Sequence, residues 1–393
     1  MSYPAHITFH PFAEGAALHQ KGSHRLWVLN HSSAVLWCLL EEQGEGELLI
    51  SAYADHFNIT EEQAKADVQN ALGEFQRNGL LMSKSAVSCQ LSALSKKQQG
   101  LRFELPVFNH PLTVTAFWRQ SYTVAGVSWE VSCNDAAAAQ NWLGCFAHLE
   151  AENSSPDLHY QIIEEPSGWT ITGHGERMGD LASDQVLPWL LTFLFGELCH
   201  RQPQNLLLHA AVALRDGQLL LLPGESTFGK STLAAALAAN GWTLYSDELA
   251  PLDPATLQVL PFPLPVVIKS RSLSALESCY PQLTNILAHR RADGQLVRYL
   301  APPQIGLASP AAPSTPVAAL IFPRFHPGTS TPIEPLAPLA ALELLARTGS
   351  SERSLTTPDV QALLTLAGQC PCWSLEYFDL GEAVKQIESV VKL

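Results

Sequence analysis

Eight residues constrain this chain more than any other stretch: Gly224-Glu225-Ser226-Thr227-Phe228-Gly229-Lys230-Ser231. The glycines let backbone N–H groups turn inward around an anion, and the lysine and following hydroxyl add charge and a metal-binding oxygen. Such a run needs a strand before it and a helix after it, whose positive end faces the same anion. Both flanks are visible. Leu219–Leu222 is continuously apolar, and Ser231–Ala239 is nearly pure alanine and leucine. Asn240-Gly241 stops that helix, and Trp242–Tyr245 opens a further strand. Strand, loop, helix, strand is the order of an α/β core that binds a nucleotide. Gly224 to Ser231, with Thr232 behind them, are the candidate phosphate-binding residues.

The rest of the chain sets limits on this reading. A length of 393 residues predicts two or three domains. With 47% apolar and 15% charged residues, it is too apolar to be disordered throughout. Its net charge of −14 argues against a general nucleic-acid binder. The longest apolar run, Val186–Phe195, is shorter than the roughly 18 residues of a membrane helix and reads as a buried helix. The start, Met-Ser-Tyr-Pro-Ala-His, has no basic-then-apolar pattern, so no secretory signal and no membrane contact are expected. The cysteines (38, 89, 133, 145, 199, 279, 370 and 372) are scattered, which fits reduced thiols in the cytoplasm. Cys370-Pro371-Cys372 lacks the second pair that a zinc site needs.

Three zones follow. Residues 1–92 read as a small β-meander (His6–His10, Ala16–Gln20, His24–Asn30) and then three helices, a winged-helix-like unit. Ser32 or Ser33 is expected to cap the first helix, Glu47–His56 forms the second, and Thr60 with Gln63 forms a capping box for the third. Asn78-Gly79 ends the third helix, and Ser92–Gly100 reads as a linker. Residues 101–200 carry strand-like runs at Leu112–Trp118, Val127–Ser132, Tyr160–Glu164 and Trp169–Thr172, closed by a helix at Asp184–Cys199. Residues 201–393 hold the phosphate-binding loop. One strand is expected at Asn205–Leu214, and a Pro-rich stretch at Ala301–Pro316 reads as a linker or a surface loop. The expected class is α/β with a mixed sheet.

Leu208-His209-Ala210, the Gly224–Ser231 loop, and Gly241-Trp242 followed by Asp247-Glu248 resemble the catalytic core of the HPr serine kinase/phosphorylase family. The likeness extends to the HPr-kinase-related kinases. It covers Pro263–Lys269, Arg298–Pro303 and Phe322–Arg324, about 190 residues from Asn205 onward. The resemblance implies an HPr kinase/PEP carboxykinase-like domain that transfers the terminal phosphoryl group of ATP with Mg²⁺. It assigns Lys230 to the phosphates, Ser231 and Asp247 to Mg²⁺, and Glu248 to the base, with Asp247 as an alternative. His209 is added as a catalytic residue, and Lys269, Arg298 and Arg324 as candidates for a phosphate clamp. Glu248 stands where the family has Asp, Thr227 and Phe228 replace small residues, and the family's Glu/Arg/Gly-rich second signature is absent. Phosphorylase activity is therefore not expected. The family also leaves a homo-oligomer open.

His24–Trp37, with its Leu29-Asn30-His31-Ser32-Ser33-Ala34 core, resembles the strand-to-helix passage of the PqqD family, and Thr60–Leu81 fits that family's end. Such units bind leader segments of ribosomally made peptides. The resemblance implies a peptide or small-protein partner added as a strand at Arg25–Asn30. Val68, Leu72 and Phe75 are read as core residues, with the peptide groove as the alternative. The third helix carries Glu61, Glu62, Asp67 and Glu74 against Lys65 and Arg77, which disfavours DNA. The combined expectation is a serine kinase acting on a captured peptide, in ribosomal-peptide modification. The alternatives are a small-molecule kinase of the free-serine type and a non-catalytic peptide chaperone that senses nucleotide.

Overall fold

The computed structural model describes residues 7–81, 117–152, 155–225, 228–348 and 353–391. The expected linker at Ser92–Gly100, most of the strand at Leu112–Trp118, Cys89, Ser226 and Thr227 lie outside them. The fold is mixed α/β. Two compact units divide the chain, 1–113 with 354–360 and 114–353 with 361–393.

In the first unit, strands β1 (Ile7–Phe12), β2 (Gly15–Gln20) and β3 (Leu26–Leu29) form an antiparallel sheet in that order, so β3 lies at an edge. Helices α1 (His31–Gln43), α2 (Glu47–Phe57) and α3 (Glu61–Arg77) follow. The α1 cap is Asn30, whose side chain accepts from Ser33 N at 2.9 Å, and not Ser32 or Ser33. Asn30 is the last extended residue, the conformation a capping side chain requires. Thr60 caps α3 by accepting from Gln63 N. At its end Gly79 takes φ +73°, and Leu80 N donates back to Phe75 O at 2.7 Å. Leu36, Trp37, Leu40, Val68 and Phe75 are buried, while Leu72 is half-buried against this core. Each fully buried side chain of this size contributes about 1.5–3 kcal/mol.

The second unit holds two larger sheets. Strands β4 (Trp118–Val124), β5 (Val127–Cys133), β6 (Leu158–Glu165), β7 (Gly168–Gly173) and β8 (Glu176–Leu181) lie in sequence order, with only β5–β6 parallel. The helix Val186–His200 buries Leu187, Leu190, Leu194 and Leu198 in the same core as this sheet's Trp129 and Ile171.

The expected strand at Asn205–Leu214 is two strands, β9 (Leu206–Leu208) and β10 (Ala210–Arg215). His209 is the break. Its N–H donates to Thr348 O at 3.2 Å and its carbonyl accepts from Gly224 N at 3.4 Å, so it is lost to the ladder. Strands β11 (Gln218–Pro223), β12 (Thr243–Ser246), β13 (Ala250–Leu252) and β14 (Gln258–Val259) join this sheet. A small separate sheet holds β15 (Val266–Lys269), β16 (His289–Arg290) and β17 (Leu296–Leu300). Strands β18 (Thr315–Phe325), β19 (Glu334–Pro335) and β20 (Cys372–Tyr377) complete the large sheet. Its order is β12-β10-β11-β18-β14-β13-β9, with β20 beside β18 and β19 beside β20. β18 runs parallel to both β11 and β20. The Pro-rich stretch lies along β12, where Ala308 N donates to Leu244 O at 2.7 Å. Among the described residues, no helix is long and apolar enough to cross a membrane.

Candidate functional site

β11 delivers the chain to Gly224, and the helix Lys230–Ala239 leads it away. Gly229 joins loop to helix at φ +87°, and a side chain there would collide with the Tyr377 hydroxyl. That hydroxyl donates to Gly229 O at 3.0 Å, and Phe325 N donates to Phe228 O at 3.1 Å. β18 and β20 thus hold the loop from outside. Lys230 is buried, with Nζ donating to Gly224 O (2.6 Å) and Glu225 O (2.9 Å). Burial pulls its pKa down to about 8, against the opposing pull of Glu248 and Asp247.

A cavity of about 350 Å³ opens at this helix start. It brings His209, Lys230, Ser231, Thr232, Asp247, Glu248 and Lys269 together. Asp247 and Glu248 follow β12 in a turn held by Ser246, whose hydroxyl oxygen accepts from Glu248 N (3.3 Å) and Leu249 N (3.0 Å). Asp247 is buried, accepts from Val267 N at 3.3 Å and is hydrogen-bonded to the Ser231 side chain. Burial, then the neighbouring Glu248, push it up to about 7. Glu248 is exposed at the cavity mouth. His209 is pushed down to about 4 by burial, then by Lys230 and Lys269, so its imidazole is neutral at physiological pH. Lys269 is lowered by burial and then by Arg271 and Arg291.

Two of the three expected clamp cations lie elsewhere, and strand alternation explains why. Arg298 pairs opposite Ile268, on the face of β15 away from Lys269, and its Nε donates to Ile286 O at 3.0 Å. Arg324 pairs opposite Glu376, one residue out of phase with the cavity-lining Phe325 and Tyr377. Its guanidinium sits 3.8 Å from Glu376 and over the Phe228 ring instead. Arg271 and Arg291, which the sequence reading did not select, line the cavity in their place. Four basic side chains therefore face two carboxylates, a local excess of positive charge in an acidic protein. Phe325 and Phe378, both exposed, form an aromatic wall with ring centroids 6.2 Å apart. The arrangement can hold a polyphosphate at the helix start and offer a carboxylate beside its outer end.

In the first unit, β3 is an edge strand among the described residues, at the expected segment. Trp27 Nε1 donates to Asn78 O at 3.0 Å, tying β3 to the end of α3.

The sequence profile of the family described as Coenzyme PQQ synthesis protein D (PqqD) matches residues 15–81, and these residues form a PqqD-like domain. Among curated proteins, none matches the chain.

Proposed function

We propose that this chain is an ATP- and Mg²⁺-dependent kinase that phosphorylates a serine hydroxyl on a peptide captured by its PqqD-like domain. The observation that carries the kinase half is the convergence of Lys230, Ser231, Asp247 and Glu248 on one cavity at a helix start. The peptide half rests on the PqqD-like domain and on the edge position of β3 among the described strands, where an extended segment can add as a strand.

Lys230 and the helix start would take the β- and γ-phosphates, with Lys269, Arg271 and Arg291 around the outer phosphate. Ser231 and Asp247 offer two adjacent hard oxygens that suit Mg²⁺. Among the described residues no group of three His, Cys, Asp or Glu could hold a metal, so the ion's other ligands would be phosphates and water. When bound, the ion supplies charge neutralisation on the phosphoryl oxygens. Glu248, exposed at the mouth, is the better placed base, and buried Asp247 the better placed ligand. Neutral His209 adds no positive charge near the reacting groups. Capture of the acceptor on the same chain would raise its local concentration to roughly millimolar.

The test measures ATP binding by calorimetry and ATP consumption with radiolabelled γ-phosphate. Lys230→Ala should weaken ATP binding by about 100-fold, while Glu248→Gln should keep binding and lose about 10²–10⁴ in turnover. Unchanged ATP consumption in both variants sinks the kinase and leaves a peptide-binding protein.

A further inference from the structure

A second cavity, of about 400 Å³, lies against the first. The two share Asp247, Glu248, Val267 and Arg291. The carboxylate pair is therefore a partition with a different chamber on each side. The first chamber is lined by cations and the loop, the second mainly by large apolar side chains.

One wall of the second chamber is a single face of the helix Val186–His200. Pro188, Leu191, Thr192 and Phe195 stand at i, i+3, i+4 and i+7, the spacing that aligns side chains along one stripe. Trp189 widens that stripe, and both Trp189 and Phe195 are only half-buried. A second part of the lining is Phe262, Leu264 and Tyr299, with Phe262 edge-on to Phe195 at 6.3 Å between ring centroids. It is held rigidly: Phe262 N donates to Tyr245 O at 2.8 Å, and His148 Nε2 donates to Pro263 O at 2.7 Å. Tyr299 pairs opposite Val267, which places both on the cavity face of the small sheet. Half-exposed aromatic rings around a preformed hollow are the usual lining of a ligand site.

We infer that this second cavity is the acceptor site, and that it selects a peptide hydroxyl carried beside a large apolar side chain. The inference rests on the kinase reading above and names the acceptor class for it. A group entering from the second chamber meets Glu248 from the side away from the first chamber, the approach that in-line transfer requires. The acceptor O–H gives its proton to the Glu248 carboxylate as its oxygen bonds the γ-phosphorus. The bond from that phosphorus to the β,γ-bridging oxygen breaks, and ADP leaves with the electron pair. The apolar neighbour of the hydroxyl packs in the cavity against Trp189, Leu191 and Leu264, beside the edge contact of Phe195 with Phe262, and its burial holds the hydroxyl at the partition.

The experiment titrates the full chain, saturated with Mg²⁺ and a non-hydrolysable ATP analogue, with three probes: N-acetyl-Ser-Phe-amide, N-acetyl-Ser-Gly-amide and free L-serine. The Phe dipeptide should bind about tenfold tighter than the Gly dipeptide, the return on burying one large side chain. Trp189→Ala and, separately, Phe195→Ala should erase that difference and leave analogue affinity within about twofold. Equal binding of the two dipeptides, or of none, overturns the inference. So does tighter binding of free serine, which would mark a small-molecule site, and so does loss of analogue affinity in Trp189→Ala, which would give the cavity to the nucleotide. Failure of the kinase reading registers separately, in the analogue titration before any dipeptide is added: wild type and Lys230→Ala would then bind the analogue equally.

Discussion

At the scale of single residues, Gly229 shows how much one backbone conformation decides. It holds a left-handed φ that costs other residues about 1–2 kcal/mol, and the Tyr377 hydroxyl occupies the place of any side chain. Gly229→Ala should therefore lower ATP affinity by more than about tenfold, while Tyr377→Phe should cost only about 1 kcal/mol of stability, one hydrogen bond. Calorimetry and thermal melts of the two variants check this contrast. The residues around Gly229 were legible in the sequence because the loop's chemistry is local: glycine, lysine and hydroxyl must be neighbours to surround one anion. Arg271 and Arg291 were not, because they follow β15 and β16, far along the chain from the loop, and only the folded small sheet brings them to the cavity. Arg298 and Arg324 lie outside the cavity lining for a related reason. Which face of a strand a residue occupies depends on register, and register is not written in a motif.

At the scale of elements, patterned segments were readable and quiet ones were not. The helices at Thr60–Arg77 and Val186–His200 announce themselves by caps or by continuous apolar content. β8 buries only Leu181 among six residues, so it has no alternation to find, and it is visible only once β7 is beside it. The break at His209 was hidden because Leu206–Leu214 reads as one apolar run. The edge strand β3 carries this scale's prediction. A peptide that adds to it would pair with the backbone on the side of β3 away from β2. Hydrogen exchange at residues 26–29 should slow when a leader peptide binds, by about tenfold or more at saturation. Unchanged exchange there, with binding intact, would place the peptide elsewhere on the domain.

At the scale of the whole molecule, buried histidines tie stability to acidity. His148 is half-buried against Pro263, and burial lowers its pKa, as it does for the buried His10 and His289. An imidazole whose folded pKa lies below its unfolded value of about 6.5 binds its proton more readily in the unfolded chain. The stability it contributes is complete above that value and is lost as pH falls through the folded pKa. Thermal midpoints should drop between pH 7.5 and pH 5, and His148→Gln, which keeps a donor for Pro263, should flatten that drop. An equally steep decline in the variant would assign the acid sensitivity to other groups. The large-scale division of labour also bears on how such a chain can diversify. Loop, lysine and carboxylates come from one stretch of sequence, whereas the apolar wall facing them comes from a helix earlier in the chain. Under the kinase proposal, substitutions on that helix would re-specify the acceptor while leaving the loop and carboxylates untouched, so relatives with divergent targets should differ most at Trp189, Leu191 and Phe195.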